Sequence, residues 1–572
     1  MNESTEECSP FKDRKKKNHM SLNDKKRLAR EKAEQYNSNG RPIRQYHMLT
    51  AEEVKQGKET HWEELEIIGS IKNISPDLWK LTYLTGLYLN DNQLTRIPPD
   101  ISLLVNLQSL DLSGNKLRSL PAELGELVYL KELLLGYNML RSLPHELGRL
   151  FQLQVLGLAG NPLCQEIMKL YSEPNGTHRL LMYLLDSLQV RVPVPPGRPW
   201  IPLSRPNKNI PSCPVTVMCY NVLCEKYATT QMYGYCPSWA LSWEYRKKVI
   251  LGEIRHYTAD IITLQEVETD QFYNFFLPEL KKDGYDGVFS PKSRAKTMSE
   301  NDRKRVDGCA IFFRAIKFTL IKEHLIEFNQ LAMANSSGSD DMLNRVMPRD
   351  NIGLAALLKT NETAWENSLP SEVQQPILVC TAHIHWDPEF CDVKLIQIMM
   401  LSNELNTILE EANRTYRNVN HHQPPIQLLL CGDFNSLPDS GVIEFLSAGK
   451  VSSDHQDFKD LQYKTLLQKI SSCERPNEFA HSFKLSSAYE NIMPFTNYTF
   501  NFKGIIDYIF YTRQTMTPLG LLGPLAPEWF KDNKVLGCPH PHIPSDHFPL
   551  LVEFELSPNA HQSNSNGLIG RR

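Results

Sequence analysis

The chain has 572 residues, 41% hydrophobic and 22% charged, with a formal net charge of −4, which suits a multidomain globular protein and excludes a whole-molecule field that would attract nucleic acid. Its twelve cysteines show no paired CxxC spacing, which argues against a disulfide framework or a thiolate zinc site. The hydrophilic N-terminus and the absence of an apolar run near about 18 residues leave no visible signal peptide or membrane span, so an intracellular, cytoplasmic protein with access to the nucleus is expected.

In chain order, residues 1–60 open with a polar segment rich in Lys and Arg, densest at Lys15-Lys16-Lys17 and Lys25-Lys26-Arg27. A nuclear-import or RNA-contact role competes there with a solvated, disordered tail, and the tail is the simpler reading because such runs cannot bury a core. From 61 to 190 a repeat takes over. The blocks LTGLYLNDNQLTRIPPD, LQSLDLSGNKLRSLPAE, LKELLLGYNMLRSLPHE and LQVLGLAGNPL fall in register, and Asn92, Asn115, Asn138 and Asn161 recur every 23 residues. That period is the leucine-rich-repeat pattern, in which leucines alternate along a short strand and the asparagine satisfies turn backbone. Leu65, Ile67, Ile71 and Ile74 read as a degenerate capping repeat, and Gln165–Val190 as a helical C-terminal cap. Nothing on such a solenoid looks catalytic, which leaves protein binding or a structural brace as its use.

Residues 191–212 are rich in proline and predict an extended linker. From 213 to 556, short apolar runs alternate with helical patterns, the signature of a layered α/β sandwich; residues 557–572 form a polar C-terminal tail. Six apolar runs in this region lead into polar residues without an evident structural duty. Val215–Tyr220 leads to Asn221, Asp260–Leu264 to Glu266, and Ile377–Cys380 to His383 and His385. Ile426–Cys431 leads to Asp433 and Asn435, Gly504–Ile506 to Asp507, and Pro541–Phe548 carries Ser545-Asp546-His547. Asp433 and Asn435 are two apart, so an extended chain would place them on one face. Each residue alone reads as a cap or turn; six such ends suggest one shared site along a sheet edge. Carboxylates and carboxamides are hard ligands suited to Mg²⁺, and histidines can stabilise charge at phosphorus, so the set suits phosphate-ester cleavage.

The order YN, LQEVE, AHIHWDP, CGDFNSLPDS, GIIDYIFY and IPSDHFPL resembles the exonuclease–endonuclease–phosphatase superfamily. With leucine-rich repeats ahead of it, the chain resembles the carbon-catabolite-repression-type poly(A) deadenylases, nuclease subunits of the major mRNA deadenylase complex. The resemblance implies Glu266 as the main magnesium ligand, with Asn221 and Asp546 as further metal contacts in a site expected to hold two ions. It implies Asp433 as the residue that orients or deprotonates water, with Asn435 holding water or phosphate. His383 and His547 would face the scissile phosphate, and Asp507 would fix the tautomer of His547; His385 has the weaker claim to a catalytic role. Pro388 and Phe502 would wall an adenine. That is physically sensible because a base held by its faces gains about 1–3 kcal/mol from stacking. Single-stranded poly(A) RNA is the implied substrate, and the repeats would bind a second deadenylase subunit that bridges to a large scaffold. An abasic-site endonuclease, inositol-phosphate phosphatase or sphingomyelinase-like activity would keep the fold and change the substrate. A scaffold that binds RNA without cutting it would waste the intact acid and histidine set.

Overall fold

The computed structural model describes residues 63–556, apart from 208–210, 337–338, 367–374, 418–425, 460, 462, 472–474 and 476. The tails expected at 1–60 and 557–572 lie outside the described residues, apart from which the chain from Glu64 onward forms one compact unit.

The repeats build a parallel five-stranded sheet: Glu64–Glu66, Gly86–Tyr88, Ser109–Asp111, Glu132–Leu134 and Val155–Gly157. Each strand is too short to hold itself, and the asparagines tie one repeat to the next. Asn115 shows how: its Oδ1 accepts Leu94 N–H at 3.0 Å, and its Nδ2 donates to the Leu89 and Leu112 carbonyls at 2.9 and 3.0 Å. Repeated leucines fill one continuous core, against which Leu65, Ile67, Ile71 and Ile74 pack at the N-terminal end. The C-terminal cap differs from the single helical stretch expected. It is two helices, Gln165–Ser172 and Gly176–Asp186, because the Pro174-Asn175 pair breaks the run, Asn175 taking the left-handed conformation at φ 58°.

Among the described residues, the nuclease-like region holds two mixed sheets face to face. One has seven strands in the order Trp200–Pro202, Met516–Leu522, Leu550–Leu556, Cys213–Asn221, Ile261–Glu268, Asp307–Arg314 and Tyr285–Pro291. The other has six: Phe318–Glu327, Ile352–Thr360, Pro376–His383, Gln427–Asp433, Asp507–Thr512 and Leu485–Ser487. Alternation along the strands explains the layering. Val215, Val217 and Cys219 face the second sheet, where Val379, Leu429 and Ile509 meet them, while Met218 and Tyr220 point outward to Ile250 and Ile254 of the Trp243–Tyr257 helix. The outer face of the second sheet is covered by the Cys391–Arg417 helix. This is the layered α/β sandwich the alternating pattern predicted.

The stretch 191–212 is extended but is not a free linker. Trp200–Pro202 pairs with Gly520–Leu522 as an edge strand, and the Arg198 side chain donates to the Gly523 and Pro549 carbonyls, both at 2.6 Å. Its prolines suit that place, because an edge strand needs only half its backbone donors.

Candidate active site

The two sheets bring the polar ends of their strands to one edge. His383 and Asp433 end adjacent parallel strands and are paired across them, and Asp507, opening the next antiparallel strand, is paired with Asp433 from the other side. Such close approach requires Gly432, where a Cβ would stand 2.1 Å from the Ala382 carbonyl oxygen. Asn221 ends the central strand of the seven-stranded sheet.

Glu266 departs from the strand-end reading. Its strand runs on to Glu268, and in the pairing with Asp307–Arg314, Gln265 faces Cys309 while Val267 faces Gly308. Glu266 is therefore the extra residue of a β-bulge, with φ at 57°. A bulge re-aims one side chain that regular alternation would hide in a layer, and positive φ at a non-glycine residue is a strained conformation often held at functional sites. Asn435 departs similarly. Its φ is 48°, so the chain turns after Asp433 and the two side chains do not leave one extended face. Instead Asn435 N–H donates to Asp433 Oδ1 at 3.0 Å, and Asn435 Nδ2 donates to the Ile384 carbonyl at 3.0 Å. One amide hydrogen is thus committed to the fold, which leaves the amide oxygen and one N–H for water or phosphate.

Polar contacts knit the group together. Asn221 Nδ2 donates to Glu266 Oε1 at 3.2 Å and to Asp433 Oδ2 at 3.0 Å. The second Glu266 oxygen accepts Cys224 N–H at 3.1 Å. His547 Nδ1 lies 2.8 and 3.0 Å from the two Asp507 oxygens, and His547 Nε2 and His383 Nε2 each lie 3.6 Å from Asp433 Oδ2. Burial alone would discharge His547, but Asp507, then Asp433 and Asp546, outweigh it and hold the imidazole well above its ordinary value. His383 is pushed the other way, by burial and then by Lys292, and is neutral. The Asp433 carboxyl is pushed up to about 7 by burial, with Asp507 adding to the shift and His547 opposing it.

Asp546 accepts Tyr233 O–H at 2.9 Å and Asn497 Nδ2 at 3.2 Å through one oxygen; its other oxygen is buried without a partner. Four buried carboxylates, Glu266, Asp433, Asp507 and Asp546, thus face one edge, and the groups bonded to them beyond His547 are neutral amides, N–H groups and a phenol. An orphaned carboxylate oxygen amid excess buried negative charge fits a hard divalent cation. Asp433, Asp507 and His547 also lie within 4.8 Å of one another, but the His547 and Asp507 atoms are spent on each other, so that trio is a hydrogen-bonded dyad beside an acid. Pro388 and Phe502 stand at exposed positions; the Phe502 ring lies over Gly504, where a Cβ would meet its Cζ at 2.7 Å and Leu437 Cδ2 at 2.9 Å.

The Endonuclease/Exonuclease/phosphatase family pattern matches residues 218–547, and leucine-rich-repeat patterns match 82–124 and 105–163. The "CCR4-NOT transcription complex subunit 6-like" protein of Danio rerio is 58% identical over 529 residues, covering 90% of this chain and 94% of that one. The "CCR4-Not complex 3'-5'-exoribonuclease subunit Ccr4" of Mycosarcoma maydis is 46% identical, over 88% of this chain and 76% of its own. The chain belongs to the Ccr4 group of this nuclease and phosphatase family. Among solved structures, ANGEL2, a 2',3'-cyclic phosphatase in complex with adenosine-2',3'-vanadate, matches at 26% identity with a TM-score of 0.49, covering 63% of this chain and 99% of that one.

Lys292, Tyr233 and Asn497 support this Ccr4-group site from outside the sequence motifs, and Ser545 from within IPSDHFPL. Lys292 Nζ lies 2.7 Å from Asp307 Oδ2, both buried; burial would neutralise the lysine, but Asp307 more than offsets that and keeps it charged. Ser545 Oγ donates to the Asn221 carbonyl at 2.7 Å and accepts His547 N–H at 3.2 Å, linking two strand ends. Asp546 is held by Tyr233, from a loop 313 residues away, and by Asn497, from the short strand Asn497–Tyr498. His385 sits under Phe390, ring centroids 5.4 Å apart, and its pKa is lowered to about 4 by burial; it is a packed neutral histidine.

Proposed function

We propose that the chain is a Mg²⁺-dependent 3'-to-5' exoribonuclease that shortens poly(A) tails. The observation that carries the reading is the acid and histidine constellation around Asp433, with Asp507-held His547 on one side and Asn221 and Glu266 on the other. Glu266, Asn221 and Asp546 are the groups to hold the metal, which when bound would polarise the phosphate and neutralise charge developing on it. The Asp433 carboxylate, made more basic by burial, is poised to take a proton from the attacking water. Cationic His547, locked by Asp507, stabilises negative charge on the phosphoryl oxygens, and neutral His383 offers a hydrogen bond from the opposite side. Hydrolysis forms one P–O bond to water and breaks the P–O3' bond, releasing a nucleoside 5'-monophosphate and a shortened chain with a free 3'-hydroxyl.

Phe502 and Pro388 are assigned to the faces of the terminal adenine, since exposed flat groups beside a phosphate site suit a single-stranded base. For the repeats, recruitment through a second deadenylase subunit to a larger scaffold is in keeping with the complex named in the relatives. The test is cleavage of 3'-labelled and 5'-labelled RNA with A-, U- and C-tails, in Mg²⁺ and then in EDTA. Stepwise loss of A from the 3' end, stopped by EDTA, is expected; internal cutting, or equal rates on all tails, would overturn the reading.

A further inference from the structure

Phe502 stands at the tip of a very small element. Asn497–Tyr498 pairs with Lys503–Gly504 as a two-residue ladder, and a hairpin of that size does not hold its own shape in water. The nuclease region holds its base, where Tyr498 N–H donates to the Asp546 carbonyl at 2.9 Å and Tyr498 O–H to the Val535 carbonyl at 2.7 Å, and the leucine-rich repeats meet its tip. Phe500, in the same tip, meets Phe151 of the solenoid edge-on at 4.9 Å between ring centroids, and Tyr129 of the preceding repeat at 5.4 Å. Phe151 also meets Tyr235 at 5.6 Å, whose hydroxyl donates to the Cys538 carbonyl at 2.5 Å; Cys538 N–H in turn donates to Tyr498 in the hairpin at 2.8 Å. Close by, Lys534 forms an ion pair with Glu126 of the repeats at 2.7 Å.

The repeat itself does not ask for Phe151. At the 23-residue period the same position holds Thr82, Val105 and Val128, so the aromatic ring is an addition to the repeat pattern at the place where the nuclease hairpin arrives. Edge-to-face aromatic pairs fix relative orientation as well as burying area, and a base-binding side chain needs its backbone held to a fraction of an ångström.

We propose that Phe151, with Tyr129, is a positioning residue for RNA: the solenoid clasps Phe500 and thereby sets the Phe502 ring against the terminal base. The repeats then serve specificity as well as recruitment. This rests on the assignment of Phe502 to the adenine, and the experiment separates the two.

The full chain carrying Phe151→Ala, Phe500→Ala or Tyr129→Ala is assayed on A-tailed and U-tailed RNA. Tyr129 is 48% exposed, so its truncation leaves the fold intact if Phe151→Ala does not. The expected result is a KM on A-tails raised about fivefold or more by Phe151→Ala, less by Tyr129→Ala, with kcat and the Mg²⁺ midpoint unchanged. On U-tails the loss is smaller, and Phe151→Tyr restores A-tail binding. In a Phe502→Ala background, Phe151→Ala should add little, because both act through one ring. If Phe502→Ala narrows base preference while Phe151→Ala and Tyr129→Ala leave KM on A-tails unchanged, the clasp is wrong and the adenine assignment stands. If Phe502→Ala leaves base preference unchanged, both fall.

Discussion

Asp507→Asn tests how charge is arranged at the site, because it removes a charge with almost no change of shape. Two Asp507 oxygens lie 2.8 and 3.0 Å from His547 Nδ1, and both residues are buried. At an effective dielectric of about 20, opposite unit charges about 4 Å apart attract by about 4 kcal/mol. Asp433 and Asp546 also favour the imidazolium, so part of that attraction survives the substitution. A loss of about 2–4 kcal/mol of transition-state stabilisation, or about thirtyfold to a thousandfold in kcat, is expected. The pH profile should move with it. His547 must be protonated to act, so activity falls as pH rises through its pKa; the aspartate holds that value high, and the neutral amide lets it drop. The alkaline limb should therefore shift toward lower pH. Single-turnover cleavage of A-tailed RNA between pH 6 and 10, with thermal unfolding as a control for the fold, measures both. A loss under about fivefold, corresponding to about 1 kcal/mol, with an unmoved alkaline limb, would refute the ion-pair role.

Glu266→Ala should abolish cleavage while leaving the unfolding temperature close to that of the parent, since removing a buried carboxylate among other acids offsets the loss of its hydrogen bonds to Asn221 and Cys224 N–H; turnover at the parental rate in Mg²⁺ would take Glu266 out of the mechanism. Asp433→Asn should be comparably severe, because an amide cannot accept the water proton; a loss below about tenfold, or about 1.4 kcal/mol, in single-turnover assays would rule out water activation. Away from the chemistry, Glu253 accepts Tyr220 O–H at 2.8 Å, and burial raises its carboxyl to about 7, with Tyr220 and Arg198 opposing. The folded state then binds a proton that the unfolded state has released, so this group's contribution is full below about pH 4.5 and declines as pH rises to about 7. Glu253→Gln should accordingly raise the unfolding temperature at pH 8 and leave it unchanged near pH 4; an equal shift at both would exclude the raised carboxyl as its cause.

What is periodic or local can be read along the chain. Asn92, Asn115, Asn138 and Asn161 announce the solenoid because each repeat bonds only to its neighbours, so a 23-residue register is visible without knowledge of anything distant. The apolar runs ahead of Asn221, His383 and Asp433 announce buried strands, since a strand's environment is written along its own length. Tertiary structure alone decided what depends on strand pairing and packing between distant segments. Glu266 reads as a strand end until Cys309 and Gly308 pair around it and leave it as the bulged residue. Residues 191–212 read as a linker until Trp200–Pro202 finds the edge of the seven-stranded sheet more than 300 residues away in sequence. Tyr233 reaches Asp546, Lys292 is held charged by Asp307, and Phe151 meets Phe500. Asp546 stands in a motif and Phe151 departs from its repeat, but neither names its partner, because a single tyrosine, lysine or phenylalanine looks the same whether it faces solvent, a carboxylate or another domain.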